Sequence, residues 1–141
     1  MAESKLVYGT TTTITATNIT TLANAASGTS GTVDNTTDLF LDALVELVVT
    51  PATAPSATGY VEIFVKGSID NTDFDDDNNA KWAGTIMMGS TATTARKRVV
   101  SVAAAFGGNL PPFWQVFVRN STGAAFTSAT LSYRGVKAQS V

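Results

Sequence analysis

The chain has 141 residues, 44% of them hydrophobic and 14% charged, with a formal net charge of −2; this is the length of one domain, without the basic surplus of a nucleic-acid binder or a polybasic membrane anchor. It contains neither Cys nor His, which removes disulfides, the usual zinc sites, thiol nucleophiles and the Ser/His/Asp triad together. No apolar run reaches about 18 residues, and the opening MAESKLVYG lacks a basic segment leading into an apolar one, so neither a transmembrane helix nor a secretory leader is expected.

Thr and Val are abundant and the straight-chain helix formers few, so the expected fold class is all-β. Met1 to Ala26 is dominated by Thr and reads as an edge strand or as an arm that orders on a neighbour. Residues 27–141 read as the β-sandwich domain. Ser27 to Asp38 is rich in turn formers, with a short strand at Thr32 and Val33. Leu39 to Thr50 fits a helix stripe in part, but Leu39, Leu41, Ala43, Val45, Leu47 and Val49 alternate with Asp42 and Glu46, which favours a strand. PATAPSATG then loops into a strand beginning at Gly59, in which Val61, Ile63 and Val65 share one face and Glu62 and Lys66 the other. These two strands are expected to pair antiparallel.

Asp70 to Asn79 is a polar loop dense in Asp and Asn, residues that favour turns. In Lys81 to Gly89, Trp82, Thr85 and Met87 share no clean face, and Gly84 suggests a bulge or close packing. Ser90 to Ala95 reads as a turn, and Arg96 to Phe106 as one strand. Gly107 to Pro112 is a break. Phe113 to Asn120 is a strand with Trp114, Val116 and Val118 on one face and Phe113, Gln115, Phe117 and Arg119 on the other. Ser121-Thr122-Gly123 reads as a hairpin turn returning through Ala129 to Val136, before a polar tail. About eight short strands joined by Gly, Pro, Asn and Asp turns predict a single-domain antiparallel β-sandwich of jelly-roll type.

Three groups could carry function. Asp73, Asp75 and Asp77 alternate as in the opening of a calcium loop, but Asn78 stands where such a loop needs Gly and Gly84 where it needs Glu; a solvated turn or an acidic patch facing a basic partner ranks above a metal site. Arg96, Lys97 and Arg98 form the one basic run, which suits charge pairing across a subunit contact or a solvated face better than nucleic acid. Phe113 and Phe117, with Gln115, suit a buried or subunit contact better than a sugar platform. Asp42, Glu46 and Glu62 fall on outer strand faces, and nothing marks them as a glycosidase pair. No catalytic set emerges, so no enzyme is expected.

The block VEIFVKGSIDNTDFDDDNNAKWAG, followed by LPPFWQVFVRNSTGAAF, resembles the small virion proteins of tailed bacteriophages that coat or cement the capsid. The shared features are a strand ending in an Asp-rich turn, a double proline before an aromatic strand, and the VRNSTGA turn; the likeness spans roughly Leu39 to Ala138. It implies a jelly-roll cement or decoration protein with no active site and no cofactor. Such a protein is made in the host cytoplasm and forms dimers on the capsid exterior, where it bridges subunits of the major capsid protein. The implied contact residues are Asp75, Asp76, Asp77, Arg96, Lys97, Arg98, Phe113 and Phe117. Two other readings stand beside it: a tail, neck or fibre-associated structural protein, and a carbohydrate-binding β-sandwich module.

Overall fold

A computed structural model describes residues 3–89 and 93–140; part of the turn expected over Ser90 to Ala95 lies outside the described residues. The strands in chain order are β1 (Ser4–Tyr8), β2 (Thr12–Ile14), β3 (Ser27–Thr29), β4 (Val33–Asp34), β5 (Asp42–Pro51), β6 (Tyr60–Ser68), β7 (Lys81–Met87), β8 (Arg96–Ser101), β9 (Phe113–Ser121) and β10 (Phe126–Ser140), with a short helix α1 (Val102–Ala105) after β8. The first sheet has the order β1-β10-β5-β8, with β2 also on β10. The second has the order β3-β9-β6-β7, with β4 also on β9. Every pairing is antiparallel.

Taken as interrupted single strands, β1/β2 and β3/β4 bring the strand number to that of a jelly roll. Numbered in chain order, the strands then run first, last, third, sixth across one sheet and second, seventh, fourth, fifth across the other. This is the jelly-roll arrangement. It corrects two expected pairings. β5 and β6 do not pair with each other; they lie in opposite sheets. The turn at Ser121-Thr122-Gly123 is not a hairpin, because it carries the chain from β9 in the second sheet to β10 in the first.

The core forms where the inward faces meet. Ala43, Val45, Leu47 and Val49 of β5 lie against Val61, Ile63 and Val65 of β6 and Trp114, Val116 and Val118 of β9, all buried. Period-two alternation is what places them there. The Trp114 indole meets the Tyr133 ring edge-on, with centroids 5.5 Å apart, which ties β9 to β10 across the layers. The Thr-rich segment contributes β1 and β2 to the first sheet and Ile14, Ile19 and Leu22 to the core.

Leu39 and Leu41 depart from the expected inward face. They are 70% and 55% exposed, because β5 begins only at Asp42. Ahead of it, the Asn35 side chain holds Phe40, accepting from its N–H at 2.8 Å and donating to its carbonyl at 3.0 Å.

Arg96 to Phe106 is likewise not one strand. After Ser101 the chain turns into α1, whose alanines are strong helix formers. Ser101 Oγ accepts from Ala104 N–H as an N-cap and donates to Asp42 at 2.6 Å, and Asp42 also accepts from Ala103 N–H at 2.9 Å. The polar tail residues 137–140 are the end of β10, paired with β1.

Candidate functional site: the outer face of the second sheet

The register of β6 with β7 shifts between Ile63 and Phe64: Ile63 lies opposite Gly84, but Phe64 lies opposite Trp82. Ala83 is the extra residue, a β-bulge. Ala83 packs on the core and Gly84 is buried. A Cβ on Gly84 would come within 2.8 Å of a Val100 methyl and 2.9 Å of Arg98 Nε, so the close approach of β7 to β8 needs a residue without one. Strict alternation from Gly84 would point Trp82 inward. The bulge turns it outward instead, and the side chain is 58% exposed.

The bulge also aligns what the sequence left scattered. Trp82, Thr85 and Met87 of β7 all stand on the outer face, opposite Phe64, Glu62 and Tyr60 of β6. Behind them, β9 sets Phe117 opposite Phe64 and Arg119 opposite Glu62. The Arg119 guanidinium lies 4.9 Å from the Phe64 ring centroid and 5.4 Å from that of Phe117. Lys66 stands over the other part of this pair, its ammonium 4.9 Å from the Phe117 centroid. The Phe64 and Phe117 rings are tilted against each other at 5.9 Å.

The acidic loop folds back onto this face. Asp75 makes a two-way clasp with Gly67: its carboxylate accepts from Gly67 N–H at 3.0 Å and its own N–H reaches the Gly67 carbonyl at 3.1 Å. The Asp77 carboxylate pairs with Lys66, and its carbonyl accepts from Arg119 at 3.4 Å. Asp76 accepts from the N–H groups of Asn78 and Asn79 and so shapes the turn. Asp70 does the same upstream, accepting from Asp73 and Thr72 N–H and the Ser68 hydroxyl. These bonds, led by that from Asp73, hold its carboxyl below the ordinary carboxylate value.

Asp73, Asp75 and Asp77 therefore serve different partners. Among the described residues no three acidic side chains converge to hold a metal ion. Asp73 and Asp75 instead line a cleft of about 450 Å³ with Ile69, Phe74, Lys81 and Phe106.

The basic run lies elsewhere. Arg96, Lys97 and Arg98 are on β8 of the first sheet. Lys97 faces outward toward Glu46, at 3.5 Å, with both side chains well exposed. Arg98 reaches across the sandwich edge and donates to the Thr85 carbonyl of β7 at 2.9 Å. Lys97 and Arg98 thus make their contacts with Glu46 and Thr85 rather than with the acidic loop. Of the aromatic candidates, Phe113 is half-buried at the start of β9. Phe117 is only 2% exposed, which agrees with the buried reading of its strand face and leaves it little surface for the contact that the resemblance implies. The Lys66 stem, Arg119 and Phe64 cover it. Sequence reasoning passed over Trp82 and Tyr60. The available signal was Gly84 within a strand whose apolar residues refuse period two.

No protein-family model matches the chain, and no curated protein does. Among solved structures it is similar to a chain of Desmodium yellow mottle tymovirus, at 13% identity over 98% of this chain and 88% of the other, with a TM-score of 0.41. It is similar to the xylan-binding module CBM15 at 16% identity, over 94% of this chain and 97% of the module, with a TM-score of 0.42. It is also similar to a latent aurone synthase (polyphenol oxidase), at 12% identity and a TM-score of 0.42, over 86% of this chain and 26% of the other. At such identities and scores none of the three bears on what this chain does. The family is left open, and the jelly roll rests on the strand order itself.

Proposed function

We propose that the chain is a non-enzymatic virion structural protein of a tailed bacteriophage, which binds the outside of the capsid as a dimer and bridges subunits of the major capsid protein. The sequence resemblance over Leu39 to Ala138 suggests it, and the jelly roll is a fold that viral shells use. Fold does not by itself confer function.

The observation that carries the reading is a projecting ribbon. The pairing of β10 with β5 ends at Val136 opposite Asp42, while β10 continues to Ser140 paired with β1 alone. Among the described residues, the outer edge of β1 and the far edge of residues 137–140 have no strand partner. Leu6 and Tyr8 on this ribbon are 62% and 54% exposed, and Leu39 and Leu41 stand exposed before β5. A two-stranded ribbon is marginal alone, and open edges accept further strands. Many copies, each making modest contacts with several subunits, would hold a shell by multivalency.

The test is light scattering on the purified protein, then mixing with undecorated capsids and imaging. A dimer that occupies regular shell positions, and loses them when residues 1–8 are removed, supports the reading. A monomer that ignores shells overturns it, and a ring or trimer found only at the tail or neck moves the protein there.

A further inference from the structure

We propose that the strip formed by Tyr60, Glu62 and Phe64 of β6 with Trp82, Thr85 and Met87 of β7 is a binding site for an oligosaccharide. The inference is independent of the capsid reading and starts from the bulge. A regular β7 would bury Trp82; this one gives up ladder regularity at Ala83 and presents the indole to solvent. Bulges re-aim side chains, and they gather near functional sites.

The strip's chemistry is mixed at short range. Trp82 and Tyr60 are 58% and 36% exposed, so their rings are available, whereas Phe64 and Phe117 already carry cations. Between them stand the Glu62 carboxylate and the Thr85 hydroxyl. Among the described residues neither these groups nor the Tyr60 hydroxyl and Trp82 Nε1 has a hydrogen-bond partner. Free acceptors and free donors thus alternate with flat apolar faces on a rigid sheet. A sugar ring has the complementary pattern: an apolar C–H face for an aromatic ring, and edge hydroxyls that both donate and accept.

Size favours a saccharide over a protein. The exposed parts of these few side chains fall well short of the roughly 800 Å² per partner of a stable protein interface. Their length suits a chain of sugars rather than one. Tyr60 and Phe64 are four residues apart, about 13 Å along the strand, with Met87 and Trp82 opposite them. Arg119, opposite Glu62, closes the inner side.

The chain has two tryptophans, and Trp114 is fully buried, so a ligand-induced change in tryptophan emission reports Trp82. The purified protein is titrated with xylohexaose, cellohexaose, dextran and a bacterial lipopolysaccharide O-chain, with calorimetry in parallel. Saturable binding of at least one, abolished in Trp82→Ala, largely kept in Trp82→Tyr and weakened about tenfold in Glu62→Gln, supports the site. Circular dichroism of each variant checks the fold. Absence of saturable binding to all four, or calorimetric binding unchanged in Trp82→Ala, overturns it. So does loss of capsid occupancy in Trp82→Ala without any saccharide binding, which would make the strip a protein contact.

Discussion

The Lys66 ammonium is held between the Asp77 carboxylate and the face of the Phe117 ring, and this contact fastens the acidic loop to the second sheet. Lys66 is 8% exposed. A cation so far from water needs its partner, because losing the partner leaves the desolvation unrelieved. Asp77→Ala is therefore expected to destabilise the protein by about 1–3 kcal/mol and to free residues 70–79. Urea unfolding and amide exchange in the loop measure the two effects. Lys66→Met/Asp77→Ala should recover most of the stability, since neither charge remains. A double variant as unstable as the single one would show that the ion pair is not the fastening.

Asn120 ties the β9–β10 crossover to the segment before β3. It is 1% exposed, and its amide donates to the carbonyls of Leu22 at 3.0 Å, Ala23 at 3.2 Å and Ala124 at 2.8 Å. Its oxygen accepts from Thr122 N–H at 3.0 Å and from the Thr122 hydroxyl at 2.7 Å. Asn120→Ala strands several buried polar groups and should cost about 3 kcal/mol. Asn120→Asp should cost more, because a carboxylate would face three carbonyl oxygens. Thermal unfolding of the two variants checks the order, and equal losses would contradict it.

Asp42 decides where β8 stops. Its carboxylate joins the start of β5 to the Ser101 hydroxyl and the Ala103 N–H. Asp42→Ala removes both bonds and is expected to cost about 1–3 kcal/mol. The amides of Ala103 and Ala104 should exchange faster than those of Leu47 and Val49. Uniform change across β5 and α1 would argue against so local a role.

The acidic loop should loosen in acid before the sandwich does. The Asp70 carboxyl is held below the ordinary 3.8. A depressed folded value means its stabilising bonds are complete above 3.8 and are lost as pH falls through the lower folded value. The protection of the Thr72 and Asp73 amides, taken relative to the intrinsic exchange rate at each pH, should therefore be constant above about pH 4 and fall below it. Asp70→Asn should remove that acid-dependent step, and a step persisting in the variant would place its origin elsewhere.

The strand content and inward faces were legible because Ala43 to Val49, Val61 to Val65 and Trp114 to Val118 alternate cleanly, and one face of each is buried. Pairing was not legible. Nothing local distinguishes the Ser121-Thr122-Gly123 crossover from a hairpin, since the choice between sheets is made by residues distant in sequence. α1 was missed because its alanines suit a closely packed strand as well as a helix, and the deciding bonds come from Asp42. The acidic loop was readable as a turn, but its attachment to Lys66 was not. Lys66 belongs to an outer face by alternation, and only the folded-back loop buries it. Gly84 did signal the bulge or close packing that the structure shows, but a two-residue period could not say that the bulge turns Trp82 outward.

β10 occupies an interior position in its sheet, between β5 and the β1/β2 pair, yet it is synthesised after every strand it joins. Until it emerges from the ribosome, β5 has only β8 beside it in that sheet, and β1 and β2 have no strand to pair with. Such distant pairings fold slowly and expose unpaired edges while they wait. A nascent chain stopped before Phe126 would therefore be a target for chaperones and proteases, and the first sheet would close only after β10 has cleared the ribosome.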